Sequence, residues 1–182
     1  MANKVQYGLK NCYYAKLSVT TSGAITYSAP VAWPGAVNLA LDAEGDTTTF
    51  YADDVAYFVA TKNNGYSGDF ESALMPQSFR TDIMKETVNT AGVYLENANA
   101  QPEAFAFLFE FEGDKESTRY ALYNCKMSRP SLESSTTEDG IEVQTTTGEI
   151  TATPRPDNGV VKGVCPATAT TAYNAWFTSV QI

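Results

Sequence analysis

The chain contains no histidine. That removes the commonest general base, the commonest metal ligand and the side chain that titrates nearest neutrality. A Ser-His-Asp or Cys-His nucleophile cannot be assembled from these residues, nor can a zinc site that uses imidazole. Cysteine is scarce: Cys12, Cys125 and Cys165 are odd in number, far apart and without C-x-x-C spacing. Such a set reads as small buried hydrophobes, not as a disulfide framework or a Cys-only metal site. Basic residues are also few, 12 Lys and Arg against 21 Asp and Glu, for a formal net charge of −9. Gripping a phosphate backbone takes clustered cations that displace counterions, so neither nucleic-acid gripping nor attraction to an anionic membrane surface is expected. No apolar run is long enough to span a bilayer, and "MANKVQYGLKNCYYAKLSV" lacks the apolar h-region of a secretory signal. The expectation is a protein made and used in a reducing cytoplasm.

What is present is a 182-residue chain, 43% hydrophobic, enough for one domain with a real core. Its dominant pattern is alternation with period two, the mark of half-buried strands. "PGAVNLALDAEGD" puts Val37, Leu39 and Leu41 on one face. "GYSGDFESALMP" sets Tyr66, Gly68, Phe70, Ser72 and Leu74 against Ser67, Asp69, Glu71 and Ala73. "EAFAFLFEFEGDKESTRYALYNC" alternates Phe105, Phe107, Phe109 and Phe111 against Ala106, Leu108, Glu110 and Glu112. Its return strand offers Arg119, Ala121, Tyr123 and Cys125 on one face and Tyr120, Leu122 and Asn124 on the other. "IEVQTTTGEITATP" is a later strand stopped by Pro154. Helical signals are sparse: a segment over about 77–87, and a short turn in "TAYNAWFTSV" where strand is nearly as well supported. "EGDTTTFYADD" shows no period, so a long loop is expected over about 42–54, and loops of that length in compact domains are functional or mobile. The reading is a single mainly-β domain over 1–182, an antiparallel β-sandwich or compact barrel with one flanking α-helix.

The carboxylates are the first candidates for chemistry. Glu110 with Glu112, and Asp69 with Glu71, lie two apart on strands and point the same way. A glycosidase needs its two carboxyl groups on opposite sides of the bond it breaks, and acids on one solvated strand face are the ordinary alternative. "DAEGD" and "EFEGDKE" resemble pieces of calcium loops without the EF-hand ligand spacing. "NNGYSGD" has glycines but no Walker or dinucleotide-binding pattern. Tyr13, Tyr14, Trp33, Tyr51, Tyr57, Tyr66 and Trp176 offer stacking faces for a sugar, although most aromatics sit at core-facing alternate positions. No cofactor or metal is expected, and no catalytic residue emerges.

Four blocks, "PGAVNLALDAEGDTTTFYADDVAYF", "NNGYSGDFESALMPQSFRTDI", "FLFEFEGDKESTRYALYNCKMSRP" and "ITATPRPDNGVVKG", together resemble the major tail proteins of long-tailed bacteriophages and prophages, the phi13-type family. The likeness runs in order over nearly the whole chain. It implies a non-enzymatic virion protein, assembled in the host bacterial cytoplasm and residing in the tail. Its copies would form hexameric rings stacked into a hollow tube, and DNA would pass down the lumen without specific binding. Partners implied are further copies of the chain, a tape measure protein and tail terminator or baseplate proteins, with no membrane. Within that expectation Asp69, Glu71, Glu110 and Glu112 are candidates to line the lumen. The 42–54 segment, with Asp42, Glu44, Asp46, Phe50, Tyr51, Asp53 and Asp54, is the candidate inter-subunit loop. The alternatives are an unassembled β-sandwich that binds carbohydrate and a two-carboxylate glycoside hydrolase.

Overall fold

A computed structural model describes residues 5, 7–111, 113, 117–132, 134, 136 and 143–182. The strands are β1 (Leu9–Val19), β2 (Ile25–Tyr27), β3 (Val31–Ala32), β4 (Ala36–Ala52), β5 (Val55–Ser72), β6 (Thr87–Val88), β7 (Tyr94–Leu95), β8 (Phe105–Phe111), β9 (Arg119–Met127), β10 (Thr146–Ala152) and β11 (Lys162–Cys165). Two short helices join them, α1 (Gln77–Asp82) and α2 (Thr170–Ala175). The protein is mainly β and antiparallel, as its alternation predicts. One sheet runs β2-β1-β8-β9-β10-β5-β4, with β3 added to β1 and β11 to β9, while β6 and β7 form a separate small ribbon.

The sheet is strongly curled. β8 and β5 are separated by β9 and β10, so on a flat sheet they would stand about 14 Å apart at ~4.8 Å per strand. Yet the Phe70 and Phe107 rings meet edge-on with centroids 4.9 Å apart. The concave side closes on Cys12, Tyr14, Trp33, Phe70, Phe105, Phe107, Phe109 and Ile150, with Phe79, Ile83 and Met84 from α1 and the residues after it plugging the opening. Trp33 packs on both Phe70 and Phe79, at 5.0 and 4.5 Å, and each such aromatic pair adds about 1 kcal/mol beyond its buried area. The alternating phenylalanines therefore do form the core.

α1 is shorter than the sequence pattern suggests. It stops at Asp82 because Lys85 takes a left-handed φ of 63°, and the Glu86 N–H closes the end on the Arg80 carbonyl.

The convex side is divided. Over β1, β8, β9 and β11 it is covered by the C-terminal segment, where Ala15, Ala106, Leu108, Ala121, Tyr123, Cys165 and Trp176 form a second core with Tyr173, Phe177 and Val180. β8 is thus buried on both faces. β9 departs from strict alternation because its pairing with β8 slips between Phe105↔Cys125 and Phe107↔Leu122. That bulge turns both Leu122 and Cys125 to the concave core and leaves Ala121 and Tyr123 outside, so the two faces expected for this strand are exchanged partway along it. Over β4, β5 and β10 no helix among the described residues covers the convex face.

Candidate functional site

The segment expected as a loop over 42–54 is strand. β4 and β5 pair along almost their whole length, from Ala36↔Ser72 to Ala52↔Val55. Asp53 and Asp54 form a two-residue turn with φ of 51° and 59°, the positive values that a tight hairpin of I′ hand requires. β10 accompanies β5 only as far as Ala152↔Tyr66. Beyond that row the hairpin is two-stranded and projects by about 30 Å, at ~3.3 Å per residue. Its sequence shows no period because both faces are open, so no core imposes alternation on it.

This arm carries Phe50, Tyr51, Val55, Tyr57, Phe58 and Val59, each between 55% and 71% exposed. None belongs to either core. A two-stranded ribbon is marginal alone in water, and clustered exposed apolar side chains mark contact surfaces. Nearer the body Asn64 Nδ2 donates to Asp46 Oδ2 at 3.2 Å, and Thr47 meets Thr61 at 3.4 Å.

The uncovered convex face of β4, β5 and β10 is acidic. Residues opposed across a ladder point to the same side. Asp69 stands opposite Ala40 on β4 and Glu149 on β10, Glu71 opposite Asn38 and Thr147, and Asp42 opposite Ser67. Ser67 donates its hydroxyl to Glu44 at 2.6 Å and Thr145 to Glu71 at 2.5 Å, so two of the carboxylates are oriented by neighbours. The structure brings Asp42, Glu44, Asp69 and Glu71 onto one face and adds Glu149, which the sequence reading missed. The signal was there: Glu149 alternates with Gly148 and Ile150 in a Thr-rich strand. Lys126 on β9, opposite Thr151, borders this face.

Glu110 is not on an open face, which corrects its placement as a lumen-lining candidate. It is 4% exposed. Lys10 and Arg119 stand opposite it on the two flanking strands. Arg119 Nε lies 3.0 Å from Glu110 Oε2, Asn11 Nδ2 donates to Oε1 at 2.6 Å, and Lys10 Nζ is 3.7 Å away. The Arg119 guanidinium in turn lies 3.7 Å from the Tyr173 ring and 4.6 Å from that of Phe177. The C-terminal segment seals this pair from water. Glu112 lies outside the described residues.

The residues named for the alternative functions are differently used. Trp33, Trp176 and Tyr14 are core side chains, at most 4% exposed, and present no ring to a sugar. Asp69 and Glu71 share one open face instead of facing each other. Among the described residues no group of three His, Cys, Asp or Glu could hold a metal ion, and no helix is long and apolar enough to cross a membrane.

No protein-family model matches the chain, and no curated protein does. Among solved structures it is similar to the anti-feeding prophage cap, a tube terminating cap, with 10% identity, 90% of this chain and 94% of that one covered and a TM-score of 0.46. A likeness so loose carries no argument about function.

Proposed function

We propose that the chain is a non-enzymatic structural subunit of a phage-type tail, the major tail protein that polymerises as stacked hexameric rings into a tube. The observation that carries this reading is the β4–β5 arm, a long ribbon with apolar side chains that its own fold leaves uncovered. An arm of that kind acquires its stability from a second copy. The four sequence blocks that resemble the phi13-type family support the same reading, and two of them contribute strands to the arm.

The acidic face of β4, β5 and β10 is then the lumen wall, with Asp69 and Glu71 joined by Asp42, Glu44 and Glu149. Directly opposed like charges such as Asp69 and Glu149 weaken a sheet, so their presence here suits a surface that repels. Salt screens such charges within about 8 Å, and the face acts on DNA as a short-range non-stick lining. Tape measure and terminator or baseplate proteins would meet the tube along its bore and at its ends.

The test is a chain in which residues 46–62 are replaced by a two-residue Asn-Gly turn. Light scattering should show assembly by the intact protein and none by the trimmed one, while both remain folded, with a β-sheet circular dichroism spectrum and a cooperative thermal transition. Equal assembly by the trimmed chain would overturn the reading.

A further inference from the structure

From Asn38 to Phe50, β4 contributes one residue to every row of its ladder with β5. β5 does not return the match. Glu44 stands opposite Gly65 and Gly45 opposite Asn63, which leaves Asn64 without an opposite residue. This bulge falls just beyond Tyr66, whose partner Ala152 is the last residue of β10. An extra residue on one side of a ladder bends the strand and increases its twist. The arm therefore bends at the row where it loses its third strand.

A bulge alone would make a pivot, but this one is clamped. Gly65 has a φ of 114°, a value that favours glycine, and a Cβ there would overlap the carbonyl oxygen of Ala152. β5 thus lies hard against the end of β10. The Gly65 N–H donates to Asn63 Oδ1 at 2.9 Å. Asn64 Nδ2 reaches across the ladder to Asp46 Oδ2 at 3.2 Å. On the body side Lys162 Nζ donates to the Tyr66 hydroxyl at 2.8 Å, tying β5 to β11 at the point where the arm departs. Both strands of the bend, and the two strands beside it, are held. Restraint of this kind bears on association: a ribbon free to swivel loses that freedom when it docks, and one already set in place does not.

We propose that Asn63, Asn64 and Gly65 form a rigid elbow, which presets the angle at which the arm offers Phe50, Tyr51, Tyr57 and Phe58 to a second copy. The elbow is a property of the single chain, while its use in assembly rests on the tube reading above.

Distances between spin labels test the two parts separately. Val55→Cys lies beside the arm's turn and Val164→Cys on β11; both positions are exposed, whereas Cys12, Cys125 and Cys165 are buried. In dilute, unassembled protein the labelled pair should give one narrow distance distribution. Deleting Asn64 keeps every pair from Gly45↔Asn63 to Ala52↔Val55 in register and removes only the extra residue. On an arm ~30 Å long, unbending by ~20° carries the tip about 10 Å, and the deletion should shift the distance by that order. Asn63→Ala/Asn64→Ala, which keeps the chain length, should broaden the distribution. A broad distribution in the parent, an unmoved tip in the deletion, or an unchanged width in the double variant would overturn the elbow. Light scattering on the unlabelled chains tests its use, and the deletion should lose assembly. A deletion that moves the tip yet assembles like the parent would overturn that use and leave the tube reading standing. A parent that never assembles would overturn the use and the tube reading together.

Discussion

Arg119 and Glu110 face each other across the β8–β9 ladder at 3.0 Å, and the ring of Tyr173 closes over the guanidinium. The pair does two things at once. It satisfies a carboxylate on a strand whose faces are both buried, and it fastens the C-terminal segment to the convex side of the sheet. Arg119→Met should cost about 3 kcal/mol, because it removes the nearest cation from the buried Glu110 and leaves it only Asn11 and the more distant Lys10. The double variant Glu110→Leu/Arg119→Met should recover most of that loss. Urea denaturation measures both, and a single variant as stable as the parent would contradict this role.

The three thiols should be silent. Burial pushes Cys12 up to about 12 and raises Cys125 and Cys165 as well. A thiolate-selective reagent at pH 8 should label none of them in the folded protein within minutes and all three after denaturation. Rapid labelling of the native protein would show that one of the two cores is open.

Gly68 sits at φ 152° where a Cβ would come within 2.0 Å of the Ala40 carbonyl oxygen. β4 and β5 approach too closely there for any side chain, at the root of the arm. Gly68→Ala should lower stability by about 2–3 kcal/mol through strain and strand separation. Hydrogen exchange should show the loss concentrated in β4 and β5, and uniform protection along the arm would refute it.

Acid should loosen the join between β1, the residues after α1 and the start of β8. Glu103 contacts Lys16 at 2.8 Å and also pairs with Lys85. Desolvation tends to raise its pKa, but hydrogen bonds from Lys16 and then Lys85 outweigh it and hold the carboxyl below its usual range. A depressed carboxylate stabilises the fold above its unfolded value near 4.3 and loses that contribution as pH falls through the folded one. The pairs are about one-third exposed, so the effect is below ~1 kcal/mol. The melting temperature should fall more in the parent than in Glu103→Gln between pH 5.5 and 3.5, by less than about 4 °C, and parallel pH profiles would argue against it.

How much of this was legible in the sequence depended on burial. Phe105, Phe107 and Phe109, and Phe70 with Ser72, alternate because one side of each strand meets the concave core, and period two reports that directly. The arm escaped the same test because Thr47 to Val59 meet no core at all. What its residues carried instead was β-propensity, in three threonines and a run of aromatic and branched side chains, and an Asp-Asp turn in place of the commoner Asn-Gly. Glu110 was misplaced for a non-local reason. Nothing between residues 103 and 125 says that Tyr173 and Phe177 will cover that face. The bulge in β9 was invisible too, since slipping the register at Tyr123 leaves the hydrophobic composition of the strand unchanged.

The measurement that bears most directly on function is negative-stain electron microscopy of the purified intact protein over a rising concentration series. Hollow tubes of uniform width, built from stacked rings, are the expected result. A protein that remains monomeric up to millimolar concentration, or that forms only solid fibrils without a bore, would contradict the central claim.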